Sequence, residues 1–143
     1  MILVDASLAV KWFIDEADRD LAFAFLAEFE TDIAGPDFLA IEVSRALVAA
    51  VNSRRVEAET GRAAIGSWLA AIAEQRIRLL PTDIGIIQRG IGIALDLGHP
   101  LSDCLYLALA LDWGVDLVTC DARFHARATS HYPGIRLLNR QPH

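Results

Sequence analysis

The sequence predicts an α/β domain built on a parallel sheet covered by helices on both faces. Two observations predict it: short β-like runs alternate with long helical stretches along the chain, and the first run, residues 2–4, is apolar without alternation. A strand buried on both faces reads that way, and strands separated by helices pair in parallel through right-handed crossovers.

Residues 2–4 form a strand ending on Asp5, and a helical stretch covers 7–13. Asp18 or Asp20 caps a helix carrying Leu21, Phe25, Leu26 and Phe29 at three- and four-residue spacing. Residues 33–35 give a weak strand stopped by Pro36, and Asp37 caps a helix that runs to about Asn52. Arg54 and Arg55 mark a polar turn. Residues 57 to about 75 form another helix, with Ile65, Trp68, Leu69 and Ile72 along one face. Residues 77–80 form a strand ended by Pro81. Thr82 then caps a helix reaching Gly98, in which Gly85, Gly90 and Gly92 weaken the helix or permit close packing. The Gly98-His99-Pro100 break is followed by Ser102 as cap of a helix over 103–113. A strand at 116–119, a short helix opened by Asp121 and a last strand at 135–138 complete the pattern. No repeat, linker or low-complexity segment interrupts it, so residues 1–143 are expected to form one domain.

Hydrophobic residues make up 54% of the chain, which suits either a dense core or apolar surface kept for a partner. The net charge is −6, so a polyanion needs a local basic patch or a bound cation to approach. Of the 13 basic residues all but Lys11 are arginine, which suits bidentate contacts and can equally reflect composition. The N-terminus has no basic start, and the uncharged stretch 63–73 is far short of the roughly 20 apolar residues of a membrane span. Cys104 and Cys120 match neither a CxxC pair nor a zinc pattern, as expected of free thiols in a cytoplasmic protein.

The placement of four acids matters more than their total of 19. Asp5 ends the first strand and Asp121 lies just past a later one; ligands of open parallel sheets bind at strand C-termini where strand order reverses. Glu42 lies one turn into the helix after the second strand, and Asp103 begins the helix leading to the Asp121 strand. Asp103 and Asp121 also read as helix N-terminal residues, and Glu42 as a solvent-facing one. Asp5 needs a partner or solvent whatever its role, because it closes a buried strand. Carboxylates gathered together repel one another unless a cation holds them, and an all-oxygen set favours Mg²⁺ or Mn²⁺ over zinc.

Four segments in this order resemble the PIN-domain ribonucleases, in particular the VapC-type toxins of toxin–antitoxin pairs: Val4-Asp5-Ala6-Ser7, Glu42-Val43-Ser44-Arg45-Ala46-Leu47, Leu101-Ser102-Asp103-Cys104-Leu105-Tyr106-Leu107-Ala108-Leu109-Ala110, and Val118-Thr119-Cys120-Asp121-Ala122-Arg123-Phe124. The resemblance implies a three-layer α/β/α domain with about five parallel strands. It also implies Mg²⁺- or Mn²⁺-dependent endoribonuclease activity, a homodimer, and an antitoxin that covers the active site. On this resemblance Asp5, Glu42, Asp103 and Asp121 hold the metal, while Ser7 and Thr119 support them. Ser7 reads alternatively as a helix N-cap.

Arg45, Arg54, Arg55, Arg89, Arg123 and Arg127 are candidates for RNA or antitoxin contact, Arg45 and Arg123 because they fall within the motifs. Each also suits a solvated face or a surface ion pair. Trp12, Phe13, Phe23, Phe25 and Phe29 are expected to be mostly core, with any exposed remainder forming a groove for an antitoxin helix. His99, His125 and His131 show no spacing that suggests a ligand or base. A receiver domain or phosphatase working through an aspartyl phosphate would need a lysine beside the phosphoryl group, and the chain has only Lys11. A catalytically idle PIN-like binding module remains the other alternative.

Overall fold

The computed structural model describes residues 1–140 and places five strands and seven α-helices among them. The strands are β1 (Ile2–Val4), β2 (Ile33–Pro36), β3 (Arg78–Leu80), β4 (Leu117–Thr119) and β5 (Ile135–Leu137). Helix α1 (Ala6–Ala9) runs on into a 3-10 turn over Val10–Trp12. The others are α2 (Arg19–Phe29), α3 (Leu39–Asn52), α4 (Ala58–Ala73), α5 (Ile84–Leu97), α6 (Leu101–Trp113) and α7 (Ala122–Ala128).

All strand pairs are parallel, in the order β3-β2-β1-β4-β5. The chain steps outward from β1 to β3, then returns to the other side of β1 for β4 and β5. Right-handed crossovers therefore put α1–α4 on one face and α5–α7 on the other, the expected three-layer α/β/α arrangement. Helix α6 packs across β1, β2 and β4 on one side and against α5 on the other. It is accordingly buried at Cys104 and at every position from Tyr106 to Ala110, too apolar all round for a surface helix. No helix among the described residues is long and apolar enough to cross a membrane.

The direction of the topology reverses between β1 and β4, whose register pairs Val4 with Val118. The next residues of the two strands, Asp5 and Thr119, are thereby brought together at the carboxyl edge of the sheet, where a ligand crevice is expected.

Several predicted helix caps are corrected. Asp37 does not cap α3, whose N-cap is Phe38; its carboxylate accepts from the Thr82 backbone N–H at 3.2 Å and the Thr82 hydroxyl at 2.7 Å. Thr82 is thus committed to Asp37, and Asp83 caps α5 by accepting from Ile86 N at 3.0 Å. Pro100 takes the N-cap position of α6, which frees the Ser102 side chain for another partner. Asp18 precedes α2 in a left-handed conformation and makes no capping bond. Leu69 turns outward, 55% exposed, while Trp68 beside it is fully buried. In each corrected cap the side chain reaches another segment or none at all.

Gly90 marks the contact of α5 with α6: a Cβ there would stand 2.6 Å from Leu105 Cδ2 and 3.4 Å from its Cα. At Gly92 a Cβ would meet nothing within 4 Å. Gly90→Val is therefore expected to destabilise by about 1–3 kcal/mol through overpacking. Gly92→Ala should stabilise by up to about 1 kcal/mol through helix propensity. Urea unfolding of both variants checks the pair, and a destabilising Gly92→Ala would contradict the open environment.

Candidate active site

Asp5 is the centre of the site, and it is 3% exposed. Its Oδ1 accepts from Ser7 Oγ at 2.6 Å and from Leu8 N at 3.2 Å, the latter bond capping α1. Its Oδ2 accepts from Thr119 Oγ1, across the β1–β4 pair. Burial pushes the Asp5 carboxyl up to about 6; the bonds from Ser7, Thr119 and Leu8 oppose that rise, and the charge of Asp103 adds to it. Ser7 is therefore not the cap of α1. Its hydroxyl serves Asp5 and accepts from Cys120 N at 2.9 Å, so it ties the first turn of α1 to the loop after β4.

Thr119 is fully buried and receives the Asp121 backbone N–H at 3.0 Å while donating to Asp5. One hydroxyl thus fixes both the first carboxylate and the start of the loop that carries the last. Asp121 itself caps α7, its Oδ1 accepting from Phe124 N at 3.0 Å.

The other two acids come from helices on opposite faces. Glu42, in the first turn of α3, turns toward α6 and accepts from Ser102 Oγ at 2.6 Å. Asp103, in the first turn of α6, has Oδ2 at 2.6 Å from His99 Nε2. Near them is Tyr106 of α6, 1% exposed, whose hydroxyl has no hydrogen-bond partner among the described residues. Burial first, then the charges of Glu42, Asp5 and Asp103, drive its acidity far down. Three of the four expected acids therefore share the surroundings of one unpartnered phenol, while Asp121 is joined to them through Thr119.

A divalent cation is what such a set fits in kind. The donors are carboxylates only, and the charged forms of Asp5 and Tyr106 are disfavoured first by burial and then by neighbouring carboxylate charge, which a cation would offset. Among the described residues no three His, Cys, Asp or Glu side chains stand close enough to form a ready metal cage. Each of the four carboxylates is instead engaged by a protein donor.

His99 is the residue that sequence spacing missed. Its side chain is 4% exposed, bonded to Asp103 and stacked on Phe124 with ring centroids 4.9 Å apart. The only signal was its position four residues before Asp103, across the Gly98–Pro100 break. Arg127 is occupied by the same cluster, donating to Gly98 O at 3.2 Å and to His99 Nδ1 at 3.1 Å. Arg55 lies 3.8 Å from Glu16. Arg45, Arg89 and Arg123 are exposed and in no ion pair among the described residues.

Of the aromatic cluster, Trp12 and Phe25 are core, Phe13 and Phe29 are half-buried, and Phe23 is 44% exposed. Trp12, Phe13, Phe23, Leu26, Ala71 and Ile77 line an apolar groove of about 570 Å³ between α2 and α4, apart from the acids.

The PIN domain family model matches residues 2–129. Among solved structures, a toxin–antitoxin complex from Klebsiella pneumoniae superposes with a TM-score of 0.67 at 15% identity, over 99% of this chain and 100% of that one. VapC20 of Mycobacterium tuberculosis, described as a sarcin–ricin-loop-cleaving toxin, gives 0.68 at 17%, over 95% and 99% of the two chains. FitAcB from Neisseria gonorrhoeae gives 0.58 at 18%, over 97% of each. At such identities the likeness is one of fold. The search of curated proteins gives no match.

The Asp5 carboxyl yields a test of the site's electrostatics. Its folded-state pKa of about 6 exceeds the ordinary 3.8, so its contribution is complete below pH 3.8 and is lost as pH rises through 6. Asp5→Asn, which keeps the shape without the charge, is expected to be more stable than wild type above that range, by up to about 3 kcal/mol. The gain should shrink toward about pH 4. Urea unfolding without divalent cations at the two pH extremes measures it.

Proposed function

This chain belongs to the PIN-domain family, and from that premise we propose that it is a metal-dependent endoribonuclease acting as the toxin of a toxin–antitoxin pair. The observation that carries the proposal is Asp5, buried and bonded to Ser7 and Thr119 at the end of the sheet where strand order reverses, with Glu42 and Asp103 held in the first turns of α3 and α6. With a net charge of −6, an RNA substrate would have to be held by a bound cation or a local basic patch.

Asp5, Glu42 and Asp103 would hold Mg²⁺ or Mn²⁺, with Asp121 the fourth carboxylate at the rim. When bound, the cation would anchor a phosphodiester, activate a water and stabilise the leaving oxygen. The chain's own part is orientation: Ser7 and Thr119 fix Asp5, and Ser102 fixes Glu42. Arg45, three residues after Glu42 on α3, and Arg123, two after Asp121, are exposed cations suited to bidentate phosphate contact or to an antitoxin carboxylate.

The apolar groove at Phe23 is suited to the hydrophobic face of an antitoxin helix. A homodimer is also proposed, supported by Ile84, Ile91 and Leu95, which stand exposed at helical spacing along α5. The aspartyl-phosphate alternative loses its last support: Lys11 is committed to Glu16 at 3.4 Å and the Ala17 carbonyl at 2.9 Å. An idle PIN-like module would share the fold and these bonds but cleave nothing.

RNA cleavage is expected with Mg²⁺ or Mn²⁺, absent in EDTA, and reduced in Asp5→Asn at least about 100-fold, the upper end of the cost of losing a supporting partner. Gel analysis of labelled RNA checks this, and cleavage surviving both EDTA and the substitution would overturn the metal-nuclease reading. Expression should arrest growth, and a neighbouring small gene product should relieve the arrest. Phe23→Glu is expected to arrest growth without that relief; full relief would remove the groove from the antitoxin interface.

A further inference from the structure

We propose that His99 is a positioning residue, the middle member of a hydrogen-bond chain from Arg127 to Asp103 that fixes the Asp103 carboxylate for metal binding. The inference rests on the reading of Asp103 as a metal ligand.

The geometry specifies the chain's direction. Arg127 NH1 lies 3.1 Å from His99 Nδ1 and 3.2 Å from the Gly98 carbonyl oxygen. A guanidinium has no acceptor, so it donates to both and Nδ1 is the accepting nitrogen. In an imidazole accepting at Nδ1 the proton sits on Nε2, and Nε2 is 2.6 Å from Asp103 Oδ2. Histidine thus donates to the carboxylate and takes from the arginine, with both ring nitrogens used.

The ring is itself immobilised. It stacks at 27° on Phe124, which is fully buried, and its side chain is 4% exposed. Gly98 supplies the left-handed turn that ends α5, and its carbonyl is the second acceptor for Arg127. Three segments, the α5–α6 turn, the first turn of α6 and α7, are joined at this point.

The consequence falls on Asp103. Its side chain is 28% exposed and would otherwise be free to turn into solvent. His99 occupies Oδ2, while no hydrogen bond among the described residues reaches Oδ1. One oxygen is held and the other is left for a cation, the division seen when an outer partner orients a metal-binding carboxylate.

Two substitutions separate hydrogen bonding from packing. His99→Gln offers an amide donor for Asp103 and an oxygen for Arg127 but loses the stack. His99→Phe keeps the stack on Phe124 and loses both bonds. Mn²⁺ affinity, measured by calorimetry, is expected to fall about tenfold or more in His99→Phe and to stay near wild type in His99→Gln. Nitrogen-15 NMR of the wild-type protein should show His99 as the neutral Nε2–H form. Wild-type affinity in His99→Phe, or a proton on Nδ1, would overturn this inference alone. Failure of the wild-type protein to bind Mn²⁺ would overturn the metal-nuclease reading together with it.

Discussion

The pairing of β1 with β4 leaves a carboxylate in the protein interior, and much of the surrounding structure answers to that fact. Val4 opposite Val118 places Asp5 beside Thr119 with 3% of its surface exposed. An unpaired ionised group in such a place costs several kcal/mol, so it must find donors or take up a proton. Two hydroxyls and one backbone N–H supply the donors, yet they only partly offset burial, and the carboxyl stays easier to protonate than a free one. The residual strain is local to the crevice, where a cation would relieve it.

The same pattern is repeated around the rim with different donors. Glu42 is held by a serine of α6, Asp103 by an imidazole, and Asp121 by the N-terminus of its own helix. The Glu42–Ser102 bond joins helices 60 residues apart in sequence, whereas the bonds of Asp103 and Asp121 are local, within four residues. The fixed orientation has a cost: none of the carboxylates is presently turned into a closed cage. A metal ion entering the site would therefore have to compete with existing hydrogen bonds, most easily at oxygens such as Asp103 Oδ1 that have none.

The strands were legible as short apolar runs, and α3 and α5 by a clear 3.6-residue period, whereas α6, apolar all round, shows no such period. The reversal between β1 and β4 was legible only as a condition on which the crevice depended, and the register supplies it. The caps were misread at Asp37, Thr82 and Ser102 for one reason: a polar side chain beside a helix start has partners other than its own helix. Asp37 and Thr82 found each other across 45 residues, and Ser102 found Glu42 across 60. Local pattern contains no term for such partners. His99 was passed over likewise, since one histidine four residues from an acid carries little meaning until the turn between them folds the pair together.

Charge raises the last question, how an acidic chain would handle a polyanion. Arginine number is a poor guide, because Arg127 is spent inside the fold on His99 and Gly98, and Arg136 and Arg140 are paired with aspartates. The cations left exposed and unpaired among the described residues include Arg45 and Arg123, each within three residues of a site acid. Positive charge is thus retained beside two of the acids, as well as at Arg54, Arg62 and Arg89, which are also exposed and in no ion pair among the described residues. A field so arranged is weak at long range and becomes attractive only at contact distance, within about one Debye length of 8 Å. Substrate capture would then depend on a cation and a few arginines at the crevice, which makes the positioning of each carboxylate a condition for binding as well as for chemistry.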